Sequence, residues 1–367
     1  MKIVLRADAS LQIGSGHVMR CLTLAEALRG RGAECRFICR EHPGHLIEFI
    51  RGKGYPVHAL PSGQTNSFVE GAAEQPSHAP WLCATQMQDA EACTAILQEL
   101  RPDWLIVDHY ALNQRWETAL QAHYRKLMVI DDLADRSHIC DLLLDQNLGR
   151  EVCDYSGLVP RHCRVLAGPK YALLRPEFAA LREYSLERRQ RPQLRNILIT
   201  MGGVDQPNAT GQVLDALKNC PLPDDCRLSV VMGLKAPWLE QVRATAAEMP
   251  WSTEVLVNIS DMAQRMADCD LAIGAAGSTS WERCCLGVPT LMVVLAENQW
   301  PGAKALQSGQ AAQLVGEVSD LGAQLPVQLS TLLREHALEC MSSMAAQITD
   351  GLGVDFVADL LDRPFAE

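Results

Sequence analysis

Two series of short apolar runs, each closed by a polar or glycine-bearing turn and followed by a helical pattern, constrain this chain more than any other feature. The first series comprises residues 3–7, 35–39 (CRFIC), 104–107, 127–130 and 141–144; the second comprises 196–200, 227–232, 254–257, 270–273 and 290–294. Runs so short and so continuously apolar suit strands buried on both faces of a parallel sheet. Apolar residues at helical spacing, such as Val18, Cys21 or Leu22, Ala25 and Leu28, supply the connecting helices. The expected fold is α/β, with two Rossmann-like doubly wound domains facing across a cleft and ligands taken by the loops beyond the carboxyl ends of the strands. At 367 residues and 48% hydrophobic content, the chain is long enough for two cores. The charged stretch from Arg175 to Arg195, RPEFAALREYSLERRQRPQLR, reads as a solvated helix joining them. The boundaries expected are 1–178 for the first domain, 179–194 for the linker and 195–367 for the second, with the last helix a candidate to cross back. Residues 61–80, with GQTNS and EQPSHAP, read as a surface loop that can serve as a lid.

Charge and cysteine usage narrow the function classes. A formal net charge of −11 leaves no basic excess to neutralise a phosphate lattice, which argues against nucleic acid or an anionic membrane as a partner. The 14 cysteines sit among core-like apolar residues, no CxxC pair occurs, and the first strand opens the sequence without a signal-peptide pattern. A reducing cytoplasm is expected, with no structural zinc. Apolar runs such as 290–296 are too short to span a bilayer.

The chemistry-bearing residues gather at the ends of these strands. After the first strand, Gly14, Ser15 and Gly16 form a turn that lets backbone approach a ligand, and His17 stands at its end. The plain alternative for His17 is a capping or packing histidine. In the second half, MGGVDQPN (201–208), MGLKAPW (232–238) and GAAGSTSWE (274–282) follow strands. Gly274, Ala275, Ala276 and Gly277 leave backbone bare, Ser278 and Thr279 can cap a helix, and Glu282 lies about one turn on. That arrangement offers amides to a diphosphate and a carboxylate to ribose hydroxyls; its plain alternative is a tight packing turn. Asp8, Asp108, Asp131, Asp132 and Asp145 close strands of the first half and compete with His17 for the role of base, although capping accounts for most aspartates at such positions. Asp8 is a candidate to orient His17. Tyr110 suits a sugar-pocket wall or hydroxyl donor, and His109 suits packing. Asp268 and Asp270 precede a strand as caps do, so no metal is expected.

GVDQPN, VNISDMAQRMADCDLAIGAAGSTSWERCCLGVPTLMVV and LAENQ resemble the donor-nucleotide half of GT-B enzymes that use UDP-sugars, including the transferase adding N-acetylglucosamine in peptidoglycan synthesis. RADAS, QIGSGHVMRCLTLA, VDHYAL, VIDDLADR, CDLLLDQNLG and GPKYALLRPEF sharpen the likeness to the UDP-2,4-diacetamido-2,4,6-trideoxy-β-L-altropyranose hydrolases of pseudaminic acid biosynthesis. This resemblance implies a GT-B fold, a UDP-sugar substrate with water as the second reactant, and no cofactor. It implies that His17 is the catalytic base, that Glu282 holds the ribose, and that Gly202, Gly203 and residues 274–279, including Gly277, Ser278 and Thr279, contact the diphosphate. Asn208 in GVDQPN joins the substrate contacts, the main chain of Ile259 reads the uracil edge, and Asn298 and Gln299 face the sugar or its phosphate. Trp300 and Pro301, directly after that pair, depart from the pattern and bear on the next helix start. The implied reaction is attack of water on the anomeric carbon with inversion, UDP leaving against prearranged N–H donors and an imidazole accepting the proton. A GT-B glycosyltransferase and a non-catalytic UDP-sugar-binding protein are the alternatives.

Overall fold

The computed structural model describes residues 1–63, 76–233, 236–334 and 336–362, so residues 64–75 of the expected lid segment, and Leu234 and Lys235 of MGLKAPW, lie outside the described residues. The chain divides into two compact units, Met1–Leu173 with Gly353–Glu367, and Leu174–Leu352.

Unit 1 runs β1 (Lys2–Ala7), α1 (Gly16–Gly30), β2 (Glu34–Arg40), α2 (Ile47–Gly52), β3 (Val57–Leu60), α3 (Gln86–Leu100), β4 (Trp104–Asp108), α4 (Gln114–Leu120), β5 (Lys126–Ile130), β6 (Leu142–Asp145) and β7 (Arg164–Ala167). The strands form one sheet in the order β3-β2-β1-β4-β5-β6-β7, parallel throughout. Alternation along β1 explains how it is covered on both faces. Ile3, Leu5 and Ala7 pack with Val18, Cys21, Leu22 and Leu28 of α1, whereas Val4 packs with Cys93 and Leu97 of α3. The strand order reverses direction between β1 and β4, where Ala7 pairs with Asp108. Connections leave in opposite senses at such a switch point and open a crevice beyond the strand ends.

Arg6 occupies the same face of β1 as Val4 and is wholly buried. Its guanidinium meets Asp8 Oδ1 at 2.5 Å and Asp89 Oδ2 at 2.8 Å, Arg40 Nη2 reaches the same Asp89 oxygen at 2.6 Å, and Trp116 Nε1 donates to Asp89 Oδ1 at 2.9 Å. Cations and anions thus balance within the cluster, which offsets the desolvation cost of each.

Unit 2 runs α5 (Pro176–Arg188), β8 (Asn196–Thr200), α6 (Ala209–Leu217), β9 (Arg227–Met232), α7 (Leu239–Ala247), β10 (Ser252–Val257), α8 (Met262–Asp268), β11 (Leu271–Ala275), α9 (Thr279–Cys285), β12 (Thr290–Val294), α10 (Trp300–Ser308), β13 (Gln313–Glu317), α11 (Leu321–Leu332) and α12 (Ala337–Ala346). Its parallel sheet has the order β10-β9-β8-β11-β12-β13, again with the reversal beside the first strand of the unit. The charged segment expected to form a solvated linker over 179–194 instead belongs to this unit. Two of its arginines act as caps: Arg189 donates to Met266 O, Ala267 O and Cys269 O at the end of α8, and Arg182 donates to Cys285 O, Ala346 O and Thr349 O. Helix-terminal carbonyls that lack partners within the helix account for the basic composition. The unit boundary accordingly falls at 173/174 instead of 178, and residues 353–367 do not belong to the second unit. The final helix, α13 (Gly353–Asp362), packs Val354, Val357, Ala358 and Leu361 into the core beside α1, and its Leu361 O accepts from Trp104 Nε1.

Replacing Arg6 with Met strands two buried carboxylates. Urea unfolding of the Arg6→Met variant is expected to show a loss of about 3–5 kcal/mol in the transition assigned to unit 1.

Candidate active site

His17 lies in the first turn of α1 and is 8% exposed. Gly14, Ser15 and Gly16 precede it as expected: Gly14 takes φ +80° and donates to Ser10 O, Ser15 caps α1 through its carbonyl, and its hydroxyl makes no cap bond. The partner of the imidazole is Asp108, at the end of the adjacent strand β4. His17 Nδ1 lies 2.6 Å from Asp108 Oδ1. Arg20, one turn further along α1, clamps that carboxylate through Nε to Oδ2 at 2.6 Å and Nη2 to Oδ1 at 2.7 Å. Burial alone raises the Asp108 pKa, but Arg20 and then His17 outweigh it and hold the carboxyl well below its usual range. An ionised carboxylate only accepts, so Nδ1 carries the proton, and in the neutral imidazole Nε2 is the nitrogen left with a lone pair. Among the described residues Nε2 has no hydrogen-bond partner.

The expectation that Asp8 orients His17 is corrected by this geometry. Asp8 is engaged by Arg6, by the amide of Arg40 at 2.7 Å, and by His42 and His109, whose Nε2 atoms each lie 3.3 Å from Oδ2. His109 packs as expected, with Nδ1 accepting from the Ala111 amide; burial, against the pull of Asp8, lowers its pKa. Asp131 accepts from the Ala134 amide and pairs with Arg136, so it shapes the turn after β5. Asp132 points elsewhere. It receives Arg20 Nη1 at 2.8 Å and Tyr110 OH at 2.5 Å, and Asn147 Nδ2 links it to Asp145. Burial and then Asp132 push the Asp145 carboxyl up to about 7. With its hydroxyl committed, Tyr110 offers a ring face to His17, 4.6 Å away and edge-on.

In unit 2 the two loops that follow the central strands differ in what they leave open. At α6, Asp205 accepts from the amides of Ala209 and Thr210, and Asn208 accepts from Gly211. The amides there are already closed by the chain's own side chains, so the side-chain oxygen of Asn208, expected among the substrate contacts, is a helix cap. Gly202 and Gly203 lie in the turn before it, Gly202 with φ +88°. At α9, by contrast, Ser278 stands at the N-cap without a side-chain cap bond, which leaves the helix start unclosed by its hydroxyl.

Arg283 explains why residue 274 is glycine. This buried guanidinium donates to Ala275 O at 2.8 Å and to Ser280 Oγ at 3.0 Å, and a Cβ on Gly274 would lie 2.5 Å from its Nη1. Gln299 accepts from the Leu295 amide, and its Nε2 is 3.7 Å from where a Gly277 Cβ would stand, so the structure brings Gln299 to the 274–279 loop. Asn298 is exposed in the Glu297–Gln299 turn, and Pro301 sits in the first turn of α10, where its missing N–H costs nothing. Ile259 follows β10 beyond Asn258, which adopts φ +54°. Thr279 begins α9, and Glu282 on that helix is partly buried; burial pushes its carboxyl up to about 7, against Arg175 and Arg283.

Residues 196–353 match the Glycosyltransferase family 28 C-terminal domain. The chain is 26% identical over 300 residues to the UDP-2,4-diacetamido-2,4,6-trideoxy-beta-L-altropyranose hydrolase of Campylobacter jejuni, covering 82% of this chain and 93% of that one. It is also 26% identical over 303 residues to an uncharacterized protein of Methanocaldococcus jannaschii, spanning 56% of that protein's length and 82% of its own. The crystal structure of Acinetobacter baumannii MurG superposes with a TM-score of 0.71 over 98% of this chain and 99% of that one, at 18% identity. The chain has a GT-B fold. Both parallel sheets, with their matching order about the first strand of each unit, fit it. Among the described residues no helix is long and apolar enough to cross a membrane.

The raised Glu282 pKa carries a stability consequence. The folded chain holds this proton up to about 7 whereas an ordinary glutamate, at 4.5, has released it, so folding is opposed increasingly as pH rises from 4.5 to 7. Thermal unfolding of Glu282→Gln is expected to show no gain near pH 4.5 and a gain of up to about 3 kcal/mol at pH 8.

Proposed function

We propose that this chain hydrolyses UDP-2,4-diacetamido-2,4,6-trideoxy-β-L-altropyranose to UDP and the free sugar, with His17 as the base. The observation that carries this reading is the His17–Asp108 contact, which leaves Nε2 as the one unpaired basic atom of the pair. Similarity to the Campylobacter jejuni hydrolase over most of both chains supports the substrate.

In this mechanism a water donates a proton to His17 Nε2 as its oxygen forms a bond to the anomeric carbon. The carbon–oxygen bond to the diphosphate breaks on the opposite face, and its electron pair leaves on UDP. The leaving group needs no proton when N–H donors meet its charge. Residues 277–279 are assigned to that task, with Gly202 and Gly203 on the neighbouring loop, Glu282 on the ribose, the main chain of Ile259 on uracil, and Asn298 and Gln299 on the sugar-proximal phosphate. Asp108 fixes the tautomer of His17 and stabilises the imidazolium, as a carboxylate does beside other catalytic histidines. Attack opposite the leaving group predicts inversion without a covalent sugar intermediate.

A glycosyltransferase reading is favoured by the family 28 match and the likeness to MurG. Supplying purified protein with the UDP-linked diacetamido sugar and no acceptor separates the two. Equal release of UDP and free sugar is expected; release only after an acceptor hydroxyl is added would establish transfer. His17→Asn is expected to lower kcat by about 10²–10⁴-fold while sparing UDP affinity, and Asp108→Asn by on the order of 10²-fold or more. Undiminished turnover of His17→Asn would reject the base.

A further inference from the structure

Around His17 the chain builds a surface of rings. Trp81, in the turn Ala79–Leu82, stacks on Tyr110 with centroids 5.7 Å apart and planes 26° apart, and His17 presents its edge to both, at 6.5 Å from Trp81 and 4.6 Å from Tyr110. His78 packs edge-on against Trp81 at 4.5 Å and Tyr110 at 5.2 Å. Burial, against the attraction of Asp135, lowers the His78 pKa, so this ring adds no positive charge to the surface near neutral pH.

Half of the polar ring atoms of this surface are already committed. Tyr110 OH is spent on Asp132 and His17 Nδ1 on Asp108, while His78 Nδ1 lies 3.2 Å from Ser77 Oγ. Trp81 is only partly buried, and among the described residues its indole N–H has no partner. An ordinary hexose presents a hydroxyl on most carbons and would leave them unpaired against such a wall. A 2,4-diacetamido-2,4,6-trideoxy sugar is different: its substituents are a C6 methyl and two acetamido groups, and C3 bears its one hydroxyl besides the anomeric oxygen.

Resting on the function proposed above, we infer that Trp81 is a specificity-determining residue whose indole face takes the methyl of an N-acetylated, deoxy sugar and whose N–H donates to an acetamido carbonyl. Tyr110 backs the indole and holds it in place. Sugar recognition thereby shares its wall with the base, so that a sugar seated on the indole lies beside His17 Nε2.

Isothermal titration in the His17→Asn background reads binding apart from turnover, using UDP and the UDP-linked diacetamido sugar as probes. Adding Trp81→Ala is expected to weaken the nucleotide sugar about tenfold or more, and Trp81→Phe to weaken it by less, since the ring remains and the donor is lost. UDP affinity should stay within about twofold in both, and an unchanged unfolding transition of unit 1 reports an intact fold. Equal affinity of the Trp81→Ala and parent proteins for the nucleotide sugar would overturn the inference. In otherwise unaltered protein, a raised KM with little change in kcat is expected for Trp81→Ala. If the unsubstituted protein releases no free sugar yet the binding loss persists, hydrolysis fails and the role of Trp81 stands.

Discussion

A carboxylate held ionised in a buried position is what the chemistry of unit 1 depends on. Asp108 is sealed from solvent, and burial alone would favour its neutral form. Arg20 reverses that preference through a two-point contact, and the carboxylate in turn dictates which nitrogen of His17 bears hydrogen. Helix and sheet geometry make the trio possible. His17 and Arg20 share a face of α1 because they stand three residues apart, while Asp108 arrives from β4 because that strand pairs with the one leading into α1. Arg20 reaches onward to Asp132, which fixes Tyr110, so one guanidinium orders both the base and the aromatic wall beside it.

Unit 2 uses a complementary economy. Two helix starts follow its central strands, and only one is closed by carboxylate and carboxamide side chains. Beneath the open one lies Arg283, a buried cation whose bonds go to the Ala275 carbonyl and the hydroxyls of Thr279 and Ser280 instead of to a carboxylate. Burial lowers its pKa, which reflects the cost of holding positive charge there. An anion at the loop would relieve that cost, and the neighbouring Glu282, with its raised pKa, is suited to neutral hydroxyl partners.

Much of this architecture could be read from residue order. Strands covered on both faces announce themselves as continuous apolar runs, and β1, β2, β4, β8, β9 and β12 fall where those runs stand. The strands not read, β3, β7 and β13, are sheet edges with a single neighbour and mixed burial, so VHAL, RVLA and QLVGE carry no such signature. His17, Tyr110 and the loop ending in Glu282 were visible because small residues and a lone polar group interrupt apolar runs. The partner of His17 was not, since five strand-end aspartates look alike until strand order tells which one borders β1. Trp81 lies far from any glycine turn and carries no local signal. The arginines of 175–195 misled for a related reason: a basic helix reads as solvated unless the carbonyls it caps are known.

The central claim is that His17 carries its proton on Nδ1, toward Asp108, and offers Nε2 to water. Nitrogen NMR of protein labelled at histidine tests it most directly. The account predicts a protonated Nδ1 and a bare Nε2 for His17 in the resting protein, with the pattern lost in Asp108→Asn. A resting imidazole protonated on Nε2, or a pattern indifferent to Asp108, would contradict it.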